Sequence, residues 1–140
     1  MDVKLETGAL NAYLAEVFPQ VAADYRVERV APMEADVRLL VTDLHLRPGG
    51  TVSGPSMFAL ADLAMYAVTL AMIGREALTV TTSCAIDFMR KPAPDRDMIG
   101  RARILKLGRV LVVGDVLLFS EGTEAPVARA GMTYSIPPRG

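Results

Sequence analysis

The chain has a single cysteine and a single histidine, and it has no lysine/arginine run longer than the pair Arg90-Lys91. One cysteine, Cys84, excludes an intrachain disulfide framework. It lies in an alternating apolar stretch and reads as a packing residue rather than a nucleophile. One histidine, His45, removes most of the usual hydrolytic chemistry. No Gly-x-Ser-x-Gly elbow accompanies it, and a metal site would lack its commonest ligand cluster, so no metal is expected. His45 reads as a strand-end residue. A formal net charge of -1 without a basic patch leaves no electrostatic footprint for nucleic acid. No phosphate-cradling glycine loop or nucleotide motif occurs, so no cofactor is expected. The first seven residues lack the basic-then-apolar pattern of a secretory signal, and a cytoplasmic location is expected.

What is present is apolar. With 140 residues, 51% of them hydrophobic, the chain is long enough for one domain (1–140) with its own core. The mean hydropathy of +0.31 implies that some apolar surface is buried in an oligomer. The passage Pro55 to Ile73 approaches the length of a membrane span. Asp62 at its centre argues against lipid, where a lone carboxylate is costly, and no membrane partner is expected. A helix apolar all round is equally the signature of a helix buried inside a protein.

Around that helix the pattern alternates. Leu10, Tyr13, Leu14 and Val17 share one face of a short opening helix from Thr7 to Val17, which Pro19 stops. Tyr25, Val27 and the series Ala35-Val37-Leu39-Val41 have the period of half-buried strands on either side of Pro32-Met33-Glu34. Arg47-Pro48-Gly49-Gly50 breaks the pattern, and Ser53-Gly54-Pro55 supplies a capping hydroxyl and a first-turn proline for the long helix, which ends at Gly74. Four alternating runs follow, Leu78 to Met89, Met98 to Leu107, Val110 to Ser120 and Pro126 to Ile136, with short turn-like separators that predict a meander. The simplest arrangement is α+β: an antiparallel sheet curled around one long central helix. The helix's remaining apolar side then implies a second copy packed against it, in a homodimer or homotetramer. This is the hotdog architecture.

Two stretches carry a family resemblance. Arg47 to Asp62, RPGGTVSGPSMFALAD, resembles the start of the central helix in the PaaI-like (phenylacetate-degradation) branch of the hotdog thioesterases. Thr79 to Pro92, TVTTSCAIDFMRKP, resembles the strand that follows that helix. The resemblance implies hydrolysis of an acyl-CoA thioester to free acid and CoA, with CoA entering only as part of the substrate. It also implies site residues. The family's helix carboxylate matches Asp62, its oxyanion-binding backbone amide matches Gly54, and a water-placing hydroxyl matches Thr81 or Thr82. The motif histidine is Ser53 here, the second motif glycine is Pro55, and the family asparagine falls on Arg47. Proline has no N–H, so a donor from position 55 is absent.

These residue types suit the chemistry. A thioester needs a nucleophile or base-activated water at its carbonyl carbon and positive potential at the developing oxyanion. Gly54 at a helix N-terminus supplies the potential, and Asp62 supplies either direct attack or general base; the sequence leaves both open. Without catalysis, Asp62 would be a buried carboxylate fixing an interface. Tyr66 and Thr69 share its helix face, a polar strip that marks a cleft. Ser53 donates to substrate or merely caps the helix. Arg47 reads as a contact for a polar or acidic acyl group, or as a salt bridge across an interface. Arg90 and Lys91, with Arg101, Arg103, Lys106 and Arg109, cluster where CoA phosphates could bind. Gly54 and Asp62 are eight residues apart, roughly 12 Å along a helix, so one carbonyl cannot touch both unless each site is shared between two chains. Two rival readings remain, a non-catalytic acyl-CoA-binding hotdog and a hotdog hydratase; the latter needs an Asp–His pair.

Overall fold

Helix α1 (Thr7–Val17) opens the chain, and Pro19 both ends it and starts the one-turn helix α2 (Pro19–Ala22), where proline at the first position costs no hydrogen bond. Strands β1 (Tyr25–Ala31) and β2 (Glu34–Leu39) form a hairpin through Met33, which takes a positive φ of 65°. The long helix α3 (Gly54–Ile73) follows, then β3 (Val80–Phe88), β4 (Met98–Leu107), β5 (Leu111–Ser120) and β6 (Ala128–Ser135). The structure is a computed structural model and describes residues 2–138; Met1 and residues 139–140, the extremes of the expected 1–140 domain, lie outside it.

Local sequence accounts for α3. Ser53 Oγ accepts the Ser56 N–H, proline occupies the first turn, and Gly74, at φ 95°, ends the helix. The helix is long and apolar enough to cross a membrane, yet it is mostly buried within the fold. Leu60, Met65 and Leu70 are fully buried, each contributing about 1.5–3 kcal/mol. Two strand glycines let it lie close to the sheet. A Cβ on Gly114 would meet Met65 Sδ at 2.9 Å and the Arg103 carbonyl at 2.5 Å, and one on Gly100 would meet Leu60 and Ala64 at 3.2 Å.

All six strands form one antiparallel sheet in the order β1-β2-β4-β5-β6-β3 around α3, the hotdog arrangement expected. One part differs from the expected meander. Strand β3 pairs with β6 at the far edge, and β4 pairs with β2. Residues 89–97 therefore form a crossover instead of a hairpin turn. Pro92 and Pro94 lack the N–H groups that a hairpin ladder would use, and the segment turns at Pro94-Asp95, where Asp95 takes a positive φ of 57°. A second expectation is also corrected. The far half of α3 has no bare apolar side, because α1 packs on it and the N–H groups of Lys4 and Leu5 bond the Ala71 carbonyl. On the helix itself the exposed large apolar side chain is Phe58, at 40%, near its start.

Candidate functional site

Asp62 lies in the first half of α3, at the point where β3 begins. Its Oδ1 accepts the Thr81 hydroxyl at 2.6 Å. The Tyr134 hydroxyl lies 2.5 Å from the same oxygen and 2.7 Å from the Asp62 carbonyl, so one proton is shared between two acceptors. Thr81 and Tyr134 are direct partners across the β3–β6 ladder, and the sheet register aims both at one oxygen. Oδ2 has no partner among the described residues.

A β-bulge decides which threonine reaches Asp62. The β3–β6 register shifts between Thr81 and Ser83, leaving Thr82 as the extra residue. Without a bulge, strict alternation back from the inward Cys84 and Ile86 would turn Thr82 inward. With it, Thr81 faces in, and exposed Thr82 bonds only the Thr133 carbonyl at 3.3 Å.

A cavity of about 440 Å³ opens beside Asp62, walled by Phe18, Tyr25, Tyr66, Thr79, Thr81 and Tyr134. Tyr66 stacks on Tyr134 with ring centroids 6.1 Å apart and meets Phe18 edge-on at 6.2 Å. Its hydroxyl donates to the Ala77 carbonyl at 2.8 Å, so Tyr66 contributes a wall and no free polar group. Thr69 does not extend the expected polar strip. It is fully buried, and its hydroxyl donates back to the Met65 carbonyl of its own helix. Burial, with the Asp62 carboxylate adding to it, raises the Tyr134 phenol well above its usual range, so it stays a protonated donor. Burial, with Asp24 and Asp62, pushes Tyr25 up to about 12. Cys84 is half-buried against the core, and burial followed by the Asp62 charge raises its thiol, as suits a packing residue.

Gly54 lies at the other end of this stretch. Pro55 has no N–H and the Ser56 N–H is capped by Ser53, whereas the Gly54 N–H has no acceptor among the described residues. Phe88, at the end of β3, stacks its ring over the Gly54 Cα at 3.5 Å from where a Cβ would sit. Ser53 spends its side chain on capping, bonding the Ser56 N–H and hydroxyl. Arg47 is exposed in the loop that delivers Gly54 and makes no ion pair among the described residues. Arg90 donates to the Pro126 carbonyl beside Phe88, and Lys91 is exposed next to it. Arg101 and Arg103 are held instead by Asp36 and Asp115 on the outer face of the sheet.

His45 is not a strand-end residue. It closes a one-turn 3₁₀ helix (Asp43–His45) and is only 7% exposed. Its Nδ1 accepts the Thr42 N–H at 2.9 Å, so the proton sits on Nε2, 3.3 Å from Asp24 Oδ2. Both ring nitrogens are engaged away from Asp62. No three His, Cys, Asp or Glu side chains gather as metal ligands among the described residues. Tyr134, Tyr25, Phe18 and Thr79 are site residues that sequence reasoning missed. All but Phe18 lie in or beside alternating strand runs, but nothing local says which cavity an inward side chain joins.

The "Thioesterase superfamily" family model matches residues 49–127. No curated protein matches the sequence. Among solved structures, a protein from Silicibacter sp. TM1040, itself assigned as a thioesterase by inference, is 61% identical. The match covers 99% of this chain and 96% of that one, with a TM-score of 0.92. A variant of the phenylacetic acid degradation protein PaaI from Thermus thermophilus is 30% identical over 85% of this chain and 99% of its own, with a TM-score of 0.73. Zebrafish thioesterase superfamily member 2 shares the fold at 20% identity, covering 96% of this chain and 100% of its own, with a TM-score of 0.83.

Proposed function

The chain belongs to the thioesterase superfamily, and from that premise we propose that it hydrolyses an acyl-CoA thioester, with Asp62 as nucleophile or general base. The observation that carries this reading is the state of one carboxylate. Two hydroxyl donors, Thr81 and Tyr134, fix Oδ1, while Oδ2 has no partner among the described residues and lies beside a cavity large enough for an acyl group. Direct attack by Oδ2 on the thioester carbon would expel the thiolate and leave a mixed anhydride for water to cleave. Acting as base, the same oxygen would instead take the proton from the attacking water.

The oxyanion donor in this reading is the Gly54 amide, contributed across a dimer. Strand β3 spans the two half-sites, since Thr81 touches Asp62 near its start and Phe88 lies against Gly54 at its end. It is also an edge strand with one unpaired side. Two copies joined antiparallel along that edge, with Thr81 opposite the partner's Phe88, would bring Asp62 to the partner subunit's Gly54. Arg47, Arg90 and Lys91 then stand on the amide side, opposite the acyl cavity, where they would meet the phosphates of the thiol arm. This moves Arg47 from the acyl group to CoA.

Free-thiol release from a panel of acyl-CoA thioesters tests the proposal. The protein should turn over at least one, and Asp62→Asn should lower that turnover by about 10²–10⁴-fold with the fold intact by circular dichroism. Tight binding of acyl-CoA without turnover would make the protein a non-catalytic binder.

A further inference from the structure

The cavity beside Asp62 has a neighbour. A second cavity, of about 370 Å³, lies between α1, α2 and the β1–β2 hairpin, and three side chains, Val21, Tyr25 and Leu63, line both. The two chambers differ in chemistry. The first carries Asp62, Thr81 and Tyr134. The second is walled by Leu14, Val21, Val27, Val37, Leu40 and Leu63. Its neutral polar liner, Asn11, is tied to β1 by both polar atoms, since Nδ2 donates to the Val27 carbonyl at 2.9 Å and Oδ1 accepts the Val27 N–H at 2.8 Å. Its cation, Arg26, turns to Glu28 at 3.1 Å on the surface. Tyr25, which lines both cavities, has no hydrogen-bond partner for its hydroxyl among the described residues.

On the thioester reading above, we infer that these cavities form one two-chambered acyl pocket, with the thioester at Asp62 and a linear aliphatic tail passing Tyr25 and Leu63 into the second chamber. The preferred acyl group is therefore a straight chain long enough to pass the Tyr25 junction. A compact aryl group would fill only the first chamber and leave the aliphatic one without an occupant. A mostly aliphatic wall, with the Tyr25 hydroxyl only at its junction, favours methylenes, which need no partner, and disfavours polar ends, which would lose their water without replacement. Volumes of this size are ordinary for pockets that enclose small ligands.

Non-hydrolysable S-alkyl pantetheine thioethers test this without turnover, because they carry the arm common to CoA and carrier proteins. Calorimetric affinity should be nearly level for the shortest chains. It should then rise by up to about fourfold per methylene once the tail enters the second chamber. Ala22→Phe fills that chamber from α2, and Ala15→Phe fills it from α1. In each folded variant the ratio of S-decyl to S-ethyl affinity should fall at least tenfold. An affinity flat beyond S-butyl, a benzyl thioether binding better than every linear chain, or an unchanged ratio in both variants would overturn the inference. Failure of the thioesterase reading has a different signature: no thiol released from any acyl-CoA, with this length dependence still present.

Discussion

The two ends of the first half of α3 are opposites. At Asp62 the chain supplies its own complement, two hydroxyls on one oxygen and an enclosing aromatic wall. At Gly54, two turns earlier, the amide has no acceptor among the described residues, and its neighbours Arg47, Phe88 and Lys91 are exposed. One end is finished and the other is open. Preorganisation of an attacking group needs fixed donors, whereas stabilising an oxyanion needs a donor kept free until the reaction. On the proposed reading both demands fall on one helix, too far apart for a single carbonyl.

The sharpest way to break this comparison is complementation. Homodimers of Asp62→Asn and of Gly54→Pro should each be nearly inactive, and proline is sterically tolerated in a first helical turn. A mixed dimer would hold one site with both defects and one with neither, so activity should return to about half per dimer. If exchange is confirmed by mass and activity stays absent, the two ends do not work as a pair.

A smaller effect is expected from the closed end alone. Tyr134→Phe and Thr81→Val each remove a donor to a charged acceptor, worth about 1.5–3 kcal/mol, and should slow turnover roughly 10- to 100-fold. Thr82→Val should change the rate less than twofold, because its hydroxyl serves only the Thr133 carbonyl. Equal losses at Thr81 and Thr82 would mean that the bulge does not select between them.

The smallest effect belongs to the open end. Arg47→Asn should raise KM for CoA thioesters a few-fold, with the difference shrinking as salt screens it, and leave the ranking of acyl groups unchanged. A reordered acyl ranking with unchanged KM would return Arg47 to the acyl side.

Much of the frame was legible because it is local. The Ser53 cap, the first-turn proline and Gly74 mark α3 at both ends, and period-two alternation finds every strand. Asp62 stood out as the one charge in an apolar helix and as the motif carboxylate. Choices made across the sheet were not legible. Alternation says that Tyr134 points inward but not that its strand borders β3, and it cannot anticipate a bulge that exchanges Thr81 for Thr82. His45 was misread because a 3₁₀ turn of three residues leaves no period to detect.

The pairing of β3 with β6 also has a meaning in time. Hairpins β4–β5 and β5–β6 join neighbours in the chain, whereas Thr81 meets Tyr134 across more than fifty intervening residues, including two whole strands. Closing so long a loop is entropically expensive and brings no contacts until it is done, so local hairpins lead and β3 docks late in assembly. Asp62 receives its Tyr134 donor only across that long separation, whereas Thr81 is 19 residues away. A nascent or refolding chain is therefore compact before it is competent, and recovery of the carboxylate's environment is a clock for the final stage of folding.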